Sequence, residues 1–311
     1  MKILTITLNP AFDIHCEVPQ LIPSHEHLAK ITSRDVGGKG INISRVLTVG
    51  GVSNSALVVI GNESGNEFSR CLSREGIKHY DFVFQGRVRE NITVHTEDGS
   101  ETRISFSDSI GTDAIWQQVE DRLFSLIEND TIVTFTGRIP DGIPFEAVKK
   151  AVLKLGTLGV KVVIDSKSFE KSDLIECKPW LIKPNQEEVS QYAREEIDTQ
   201  EKALSIATEF HKLGVANVMI SLGEQGSVLV CEQGRFVAEP PPISAISTVG
   251  AGDSTIAGFL IGVAQSFSPR DCLQLAVAYG TASCLTAGTG APEKEAVARI
   301  LSQTKVKRIN E

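Results

Sequence analysis

The stretch Ser247-Thr248-Val249-Gly250-Ala251-Gly252-Asp253-Ser254 concentrates more chemistry than any other part of the 311-residue chain. Two glycines flank an alanine, an aspartate follows, and Thr255 to Ile261 continues as a largely apolar helix. A glycine-rich turn feeding a helix leaves backbone N–H groups unpaired beside the positive end of the helix dipole. Such groups suit an anion, most often a phosphate. An aspartate among them would repel that anion. Its chemistry makes sense as a base that takes a proton from an attacking hydroxyl while Gly250, Ala251 and Gly252 hold a phosphoryl group in flight. Read locally, Asp253 is equally well a helix cap after a tight turn.

Further polar groups stand where strands of an α/β sheet would end, the usual ligand edge of such folds. Asp13, in Asn9-Pro10-Ala11-Phe12-Asp13, can accept hydrogen bonds from sugar hydroxyls, although a turn role is the simpler reading of an isolated aspartate. Val36-Gly37-Gly38-Lys39-Gly40-Ile41-Asn42 is a second glycine-rich turn opening a helix. It lacks the Gly-x-x-x-x-Gly-Lys-Ser/Thr spacing of a P-loop. In Lys183-Pro184-Asn185-Gln186-Glu187-Glu188, Asn185 and Glu188 fall three apart on one helical face. That oxygen pair can hold Mg²⁺ through water, and it can as simply cap the helix. Ser221-Leu222-Gly223-Glu224-Gln225-Gly226 closes a strand with a turn able to pass under a nucleotide. Arg87 and Arg89 offer planar forks for a substrate phosphate, whereas the spacing of His25 and His27 does not suggest a metal site.

The elements that must position these groups follow from periodicity. Lys2–Leu8 reads as a strand, Gly38 to about Val49 as a helix, Ala56–Ile60 as a buried strand and about 65–74 as a helix. From Asp113 onward helices (113–128, 144–155, from 187, 199–213) alternate with strands (131–135, 160–165, 180–182, 217–221). That rhythm predicts an α/β fold, a mostly parallel sheet covered by helices on both faces. Residues 226–237 return to a hairpin, and 269–285 and 294–303 are helical. Strands at about 12–18 and 28–34, with a hairpin at 91–96 and 101–106 around Glu97-Asp98-Gly99-Ser100, stand outside the rhythm. They are expected to fold together as a small β-sheet, a lid over a cleft or a surface for a second copy.

Composition sets the bounds. The chain has 31 basic and 39 acidic residues, a net charge of -8, and no basic tract, which argues against a nucleic-acid partner. Six cysteines are scattered without a Cys-x-x-Cys pair, as expected of buried thiols in a reducing compartment. No apolar run approaches a membrane span, and the first residues do not resemble a signal peptide. The cytoplasm is the expected location.

Together these motifs resemble, in order and spacing and over nearly the whole chain, the ribokinase-like sugar kinases of the phosphofructokinase-B branch, most closely the 1-phosphofructokinases and tagatose-6-phosphate kinases. The resemblance implies one kinase domain over residues 1–311, a three-layer α/β/α core with a small β-sheet lid drawn from about 11–35 and 88–107. It implies Asp253 as the base, with Gly250, Ala251 and Gly252 as the anion hole. Asp13, Gly38, Lys39 and Asn42 would hold the sugar, and Arg89 its phosphate. Asn185, Ser221, Gly223, Gly226, Thr248 and Gly252 would line the ATP site, with Mg²⁺ held through water by Asn185 and Glu188 and adenine near 282–290. The expected reaction is ATP-dependent phosphorylation of a ketohexose monophosphate, foremost fructose 1-phosphate at its 6-hydroxyl; a homodimer through the lid is a separate hypothesis, motivated by strands with no obvious partner layer.

Two departures bear on the substrate. The family's Ser-Gly-Ser-Leu-Pro-x-Gly reads Thr136-Gly137-Arg138-Ile139-Pro140-Asp141-Gly142, placing Arg138 where a small hydroxyl is usual. The Gly-Glu-Val-Asn of the lid reads Ser24-His25-Glu26-His27. Tagatose 6-phosphate, or another phosphosugar that engages Arg138, is the alternative substrate. A sugar-phosphate or nucleotide sensor without turnover is the alternative of another class.

Overall fold

The computed structural model describes residues 1–106, 111–286 and 288–310. The chain opens with strands β1 (Lys2–Thr7), β2 (Ala11–Val18) and β3 (Lys30–Gly37), helix α1 (Lys39–Val49), strand β4 (Asn54–Gly61) and helix α2 (Gly65–Arg74). Strands β5 (His79–Phe84), β6 (Arg89–Thr96) and β7 (Glu101–Ser105) follow. Then come α3 (Asp113–Ser125), β8 (Thr131–Thr136), α4 (Phe145–Thr157), β9 (Lys161–Asp165), α5 (Lys171–Cys177) and β10 (Leu181–Ile182). Helices α6 (Gln186–Ala193) and α7 (Gln200–Lys212) precede β11 (Asn217–Ser221), β12 (Ser227–Cys231) and β13 (Gly234–Glu239). The chain closes with α8 (Ala251–Ala264), α9 (Pro269–Ser283), α10 (Lys294–Gln303) and β14 (Lys305–Ile309).

A 10-stranded sheet has the order β14-β13-β12-β11-β10-β9-β8-β1-β4-β5. Its strands are parallel from β5 across to β11 and antiparallel beyond. Strand periodicity sorts the side chains to two faces. Leu4, Val133, Ile164, Ile182 and Ile220 point to a core filled from α3, α4, α6 and α7, with Trp116 and Phe210 fully buried. Ile3, Ile132, Val163, Leu181 and Met219 point to the opposite core, filled from α1, α8 and α9. The layers are therefore helix, sheet, helix, the expected α/β/α core.

Helix α8 is apolar all round because it is enclosed: Ile256, Ala257, Phe259 and Leu260 are each at most 2% exposed. It lies close to α9, and a Cβ at Gly258 would stand 2.9 Å from the Leu275 carbonyl oxygen. Helix α8 carries Asp253, so this packing fixes the height of that carboxylate above the sheet.

The strands outside the α/β rhythm form one 4-stranded sheet in the order β3-β2-β6-β7. Its centre is the parallel β2–β6 pair, which sets Asp13 opposite Asn91 and Ala11 opposite Arg89. Strand β7 is exposed along its length, and Ile31, Ile104 and Phe106 are 64%, 47% and 51% exposed. Residue 107, at the expected end of this region, lies outside the described residues.

Three elements were not anticipated. Strands β5 and β14 are the two edges of the large sheet, and β14 reads KVKRI, whose basic side chains protect an edge and mask its pattern. Helix α5 has 7 residues, too few for a helical period to stand out.

Candidate active site

The parallel strands end along one edge of the sheet, and there a cleft of about 1100 Å³ opens. Its floor is the N-terminus of α8. Gly250 caps that helix with φ 79°, a left-handed conformation that glycine adopts without strain. The Ala251 amide donates to the Thr248 carbonyl at 3.3 Å. The Gly252 and Asp253 amides have no backbone acceptor among the described residues, and Gly250, Ala251, Gly252 and Asp253 all line the cleft.

Asp253 does not cap the helix, since the cap is Gly250 and makes no side-chain hydrogen bond. Its Oδ2 instead accepts from Asn42 Nδ2 at 2.8 Å, and the residue is 5% exposed. Burial raises its pKa to about 6, against the opposing pull of Lys39 and the Asn42 hydrogen bond; the carboxylate of Asp165 adds to the rise and Lys183 opposes it. A carboxyl poised there can exchange a proton near neutrality.

Beside it sits a charge cluster that the sequence reading did not assemble. Lys39 Nζ donates to Asp165 Oδ2 at 2.9 Å, and Lys183 Nζ lies 3.8 Å from Asp165 Oδ1. Burial would raise the Asp165 pKa, but Lys183 and Lys39 outweigh it and hold the carboxyl below its usual range. For Lys39 burial works against the ammonium, yet Asp165 and Asp253 raise its pKa well above the ordinary lysine value. Lys183 faces the anion-suited turn, since a Cβ at Gly252 would stand 3.1 Å from its Nζ. Asp165 could have been suspected from its position at the end of a predicted strand, the same signal that singled out Asp13 and Asn185.

Asn185 and Glu188 form a reciprocal capping box at the start of α6. Asn185 Oδ1 accepts from the Glu188 amide at 2.8 Å, and Glu188 Oε2 accepts from the Asn185 amide at 3.0 Å. The local capping reading is therefore fulfilled, and Glu188 keeps Oε1 without a hydrogen bond among the described residues. Ser221, Gly223, Gly226 and Thr248 line the same cleft. Its apolar end comes from Pro240, Pro241, Pro242, Ile243 and Val277. Of the 282–290 range expected near adenine, Cys284 lines the cleft, and residue 287 lies outside the described residues.

The remaining candidates gather at the root of the smaller sheet. Asp13 is no turn residue: it is 7% exposed within β2, and its Oδ1 accepts from Asn91 Nδ2 at 2.9 Å and from Arg103 at 3.1 Å. Neither partner was anticipated, because both come from the second hairpin. Gly38 is the N-cap of α1, and its carbonyl accepts from the Asn42 amide. Arg89 is half-buried and donates to the carbonyls of Asn9 and Phe106 at 3.3 and 3.4 Å, while Arg87 is exposed. The Arg138 side chain is 63% exposed, 4.0 Å from Asp141, and is not among the residues lining the cleft. His27 Nε2 lies 2.9 Å from the Ile22 amide, turned toward its own loop.

A doubly covered, mostly parallel sheet with a cleft at its strand ends and a small sheet beside it is the ribokinase-like architecture. The chain belongs to the pfkB family of carbohydrate kinases, which it matches over residues 8–296. It is 29% identical over 309 residues to 1-phosphofructokinase of Escherichia coli strain K12, covering 99% of each chain. It is 28% identical to ATP-dependent 6-phosphofructokinase isozyme 2 of the same strain, covering 93% of this chain and 94% of that one. Among solved structures, Escherichia coli phosphofructokinase-2 in complex with substrates and products superimposes with a TM-score of 0.92 at 27% identity, covering 97% of this chain and 99% of that one. The protein is thus a phosphofructokinase-like sugar kinase, a phosphotransferase with an alcohol group as acceptor, and family membership implies ATP as phosphoryl donor.

Proposed function

We propose that the protein transfers the γ-phosphoryl group of ATP to a ketohexose monophosphate, converting fructose 1-phosphate to fructose 1,6-bisphosphate. The observation that carries this reading is the buried Asp253 carboxyl, with a pKa raised to about 6, beside open amides on the floor of a nucleotide-sized cleft. Asp253 takes the proton of the sugar hydroxyl as its oxygen bonds to the γ-phosphorus. The bond from that phosphorus to the bridging oxygen breaks and leaves ADP. The amides of the Gly250-Ala251-Gly252 turn, with Lys39 and Lys183, hold the charge on the transferred group. Positioning and electrostatics supply the acceleration.

Asp13, Gly38, Lys39 and Asn42 orient the sugar, and Arg89 binds its phosphate. Asn185, Ser221, Gly223, Gly226, Thr248 and Gly252 line the nucleotide side. The cleft mouth also suits Mg²⁺. The capping box leaves Glu188 one carboxylate oxygen, and no group of three or more His, Cys, Asp or Glu able to hold a metal occurs among the described residues. Oxygen donors of the Asn185 and Glu188 kind suit an ion that keeps most of its waters and binds phosphates. Magnesium would neutralise phosphate charge there, with Asn185 and Glu188 reaching it through water.

Residues 1–311 act as one kinase unit, the smaller sheet closes over the sugar, and two copies pair through its exposed face. The working compartment is the cytoplasm. Its 1-phosphofructokinase relatives favour fructose 1-phosphate; Arg138 and His27 favour a second reading, tagatose 6-phosphate or another phosphosugar.

The test is ADP release with Mg-ATP across fructose 1-phosphate, tagatose 6-phosphate, fructose 6-phosphate and unphosphorylated ketoses. A kcat/KM for fructose 1-phosphate well above the others is expected. Preference for another phosphosugar would overturn the substrate assignment, and nucleotide binding without ADP release on any of them would overturn the kinase reading.

A further inference from the structure

Arg45 lies on α1 and is 8% exposed, an unusual depth for a guanidinium. Each of its N–H donors has an acceptor. Nε and Nη2 hold the two Glu75 carboxylate oxygens at 2.6 and 3.2 Å. Nη1 donates to Asn42 Oδ1 and to the Thr289 carbonyl, both at 3.0 Å. Nη2 also donates to the Val36 carbonyl at 2.5 Å. One planar fork therefore joins three neighbours of the cleft: Val36, which precedes Gly37-Gly38; Asn42, which holds Asp253; and Thr289, against which Gly250 packs.

The contact with Asn42 decides an orientation. An amide has one accepting and one donating end, and either could face Asp253. Because Arg45 occupies the oxygen, the nitrogen must turn to Asp253 Oδ2. We infer that Arg45 is a positioning residue for the kinase reaction, one that locks the Asn42 amide as a donor to Asp253 and ties the sugar-side glycine turn to the anion-suited turn. The inference rests on the reading of Asp253 as the base. Arg45 touches neither substrate nor reacting atoms; it acts through Asn42 and Thr289. Lysine cannot replace it, since a point charge with three donors does not span these acceptors.

The charged groups facing Asp253 are Lys39 from α1, Asp165 from the end of β9 and Lys183 from the segment after β10. None of them changes when Arg45 is replaced, and Arg45→Lys also keeps the positive charge, so in that variant the Asn42 hydrogen bond is the variable isolated. It stabilises the ionised carboxylate, and its loss moves Asp253 titration to higher pH.

The deciding measurement is the pH titration of the Asp253 carboxyl carbon by NMR in aspartate-labelled protein, its resonance assigned through its absence in D253N. Arg45→Met and Arg45→Lys are expected to move the midpoint upward. Glu75→Gln, which keeps the fork on Asn42, is expected to leave it in place. In steady-state kinetics R45M should lower kcat on the order of tenfold, and R45M/N42A should lose less than the two single losses combined, because they share the Asn42 contact. An unchanged midpoint in a folded R45M or R45K, or additive losses in the double variant, overturns the inference. If R45M does not fold, R45K keeps a cation opposite Glu75 and answers the same question. The titration needs no substrate, so it tests Arg45 even if turnover were absent, an outcome that would sink the kinase reading alone.

Discussion

Asn42 Nδ2 and Asp253 Oδ2 are 2.8 Å apart although 211 residues separate them in the chain. The glycine-rich turn that opens α1 and the one that opens α8 thus meet at a single hydrogen bond, and the carboxylate proposed as the base is held by the helix proposed to hold the sugar. Removing the donor with N42A is expected to lower kcat about tenfold to a hundredfold. It should also move the acid limb of the rate profile upward, since the lost bond favours the ionised carboxylate. A profile superimposable on the parent would sink that role.

The pH dependence of kcat/KM follows from Asp253 itself. A base must be ionised, and burial raises its pKa to about 6. Activity should therefore rise with pH through that region with the slope of one proton and level off toward neutrality. Replacing Asp253 by Asn should remove about 10²–10⁴ of the rate near neutrality, the deficit narrowing at acid pH where the parent base is itself protonated. Steady-state rates from pH 5 to pH 8, about one unit below and two above the buried group's pKa of about 6, check both statements.

Asp253 and Asp165 are buried on the same floor, yet their effects on stability should have opposite signs. Asp253 has a folded pKa above the ordinary aspartate value of 3.8, so the folded state binds more protons between pH about 4 and 6 and stability falls as pH rises through that window. D253N should then be the more stable protein at pH 7, by on the order of 2–3 kcal/mol, with the gain vanishing below pH about 4. Asp165 has its pKa lowered by Lys183 and Lys39 once their attraction outweighs burial. It contributes stability above its unfolded pKa that is lost as pH falls through the folded one, and D165N should destabilise the protein at pH 7 by about 3–5 kcal/mol. Urea melts of both variants at pH 4 and pH 7 decide the signs.

Substrate choice should respond to Arg138 without loss of chemistry. Its side chain is 63% exposed and stands apart from the cleft floor. Arg138→Ser is expected to change the ratio of kcat/KM among phosphosugars by about tenfold, with kcat on the preferred sugar within about twofold of the parent. A uniform loss on every sugar would place Arg138 in a structural role.

The exposed apolar side chains of the smaller sheet motivate a dimer. Ile104→Asp, or Ile31→Asp on the paired hairpin, should convert a dimeric mass by light scattering to a monomeric one. Both positions already face solvent, so little change in thermal stability of the isolated subunit is expected. A parent of monomeric mass would remove the proposal.

Much of the fold is legible from local pattern. The alternation that sends Ile3 and Leu4 to opposite cores, the helical periods of α3, α4 and α7, and the turn at Glu97-Asp98-Gly99-Ser100 are all set by neighbours a few residues apart. The glycine-rich turns are local as well, because an unpaired helix end is a property of the turn that starts it. The sequence by itself therefore determined the α/β/α layering, a separate small sheet and the candidate residues Asp253 and Asn185, whereas Asn42 and Lys39 became candidates through the family resemblance. The tertiary structure alone decided what surrounds them. Strand order brings Asp165 and Lys183 to Lys39, the parallel β2–β6 pair brings Asn91 to Asp13, and α1 crossing α8 brings Arg45 and Asn42 to Asp253. Such meetings cost loop closure and are repaid only by the assembled core. Burial, the largest influence on the Asp253 pKa, arises only when those segments close around the carboxylate, which is why the aspartate can be named from the sequence and its pKa cannot.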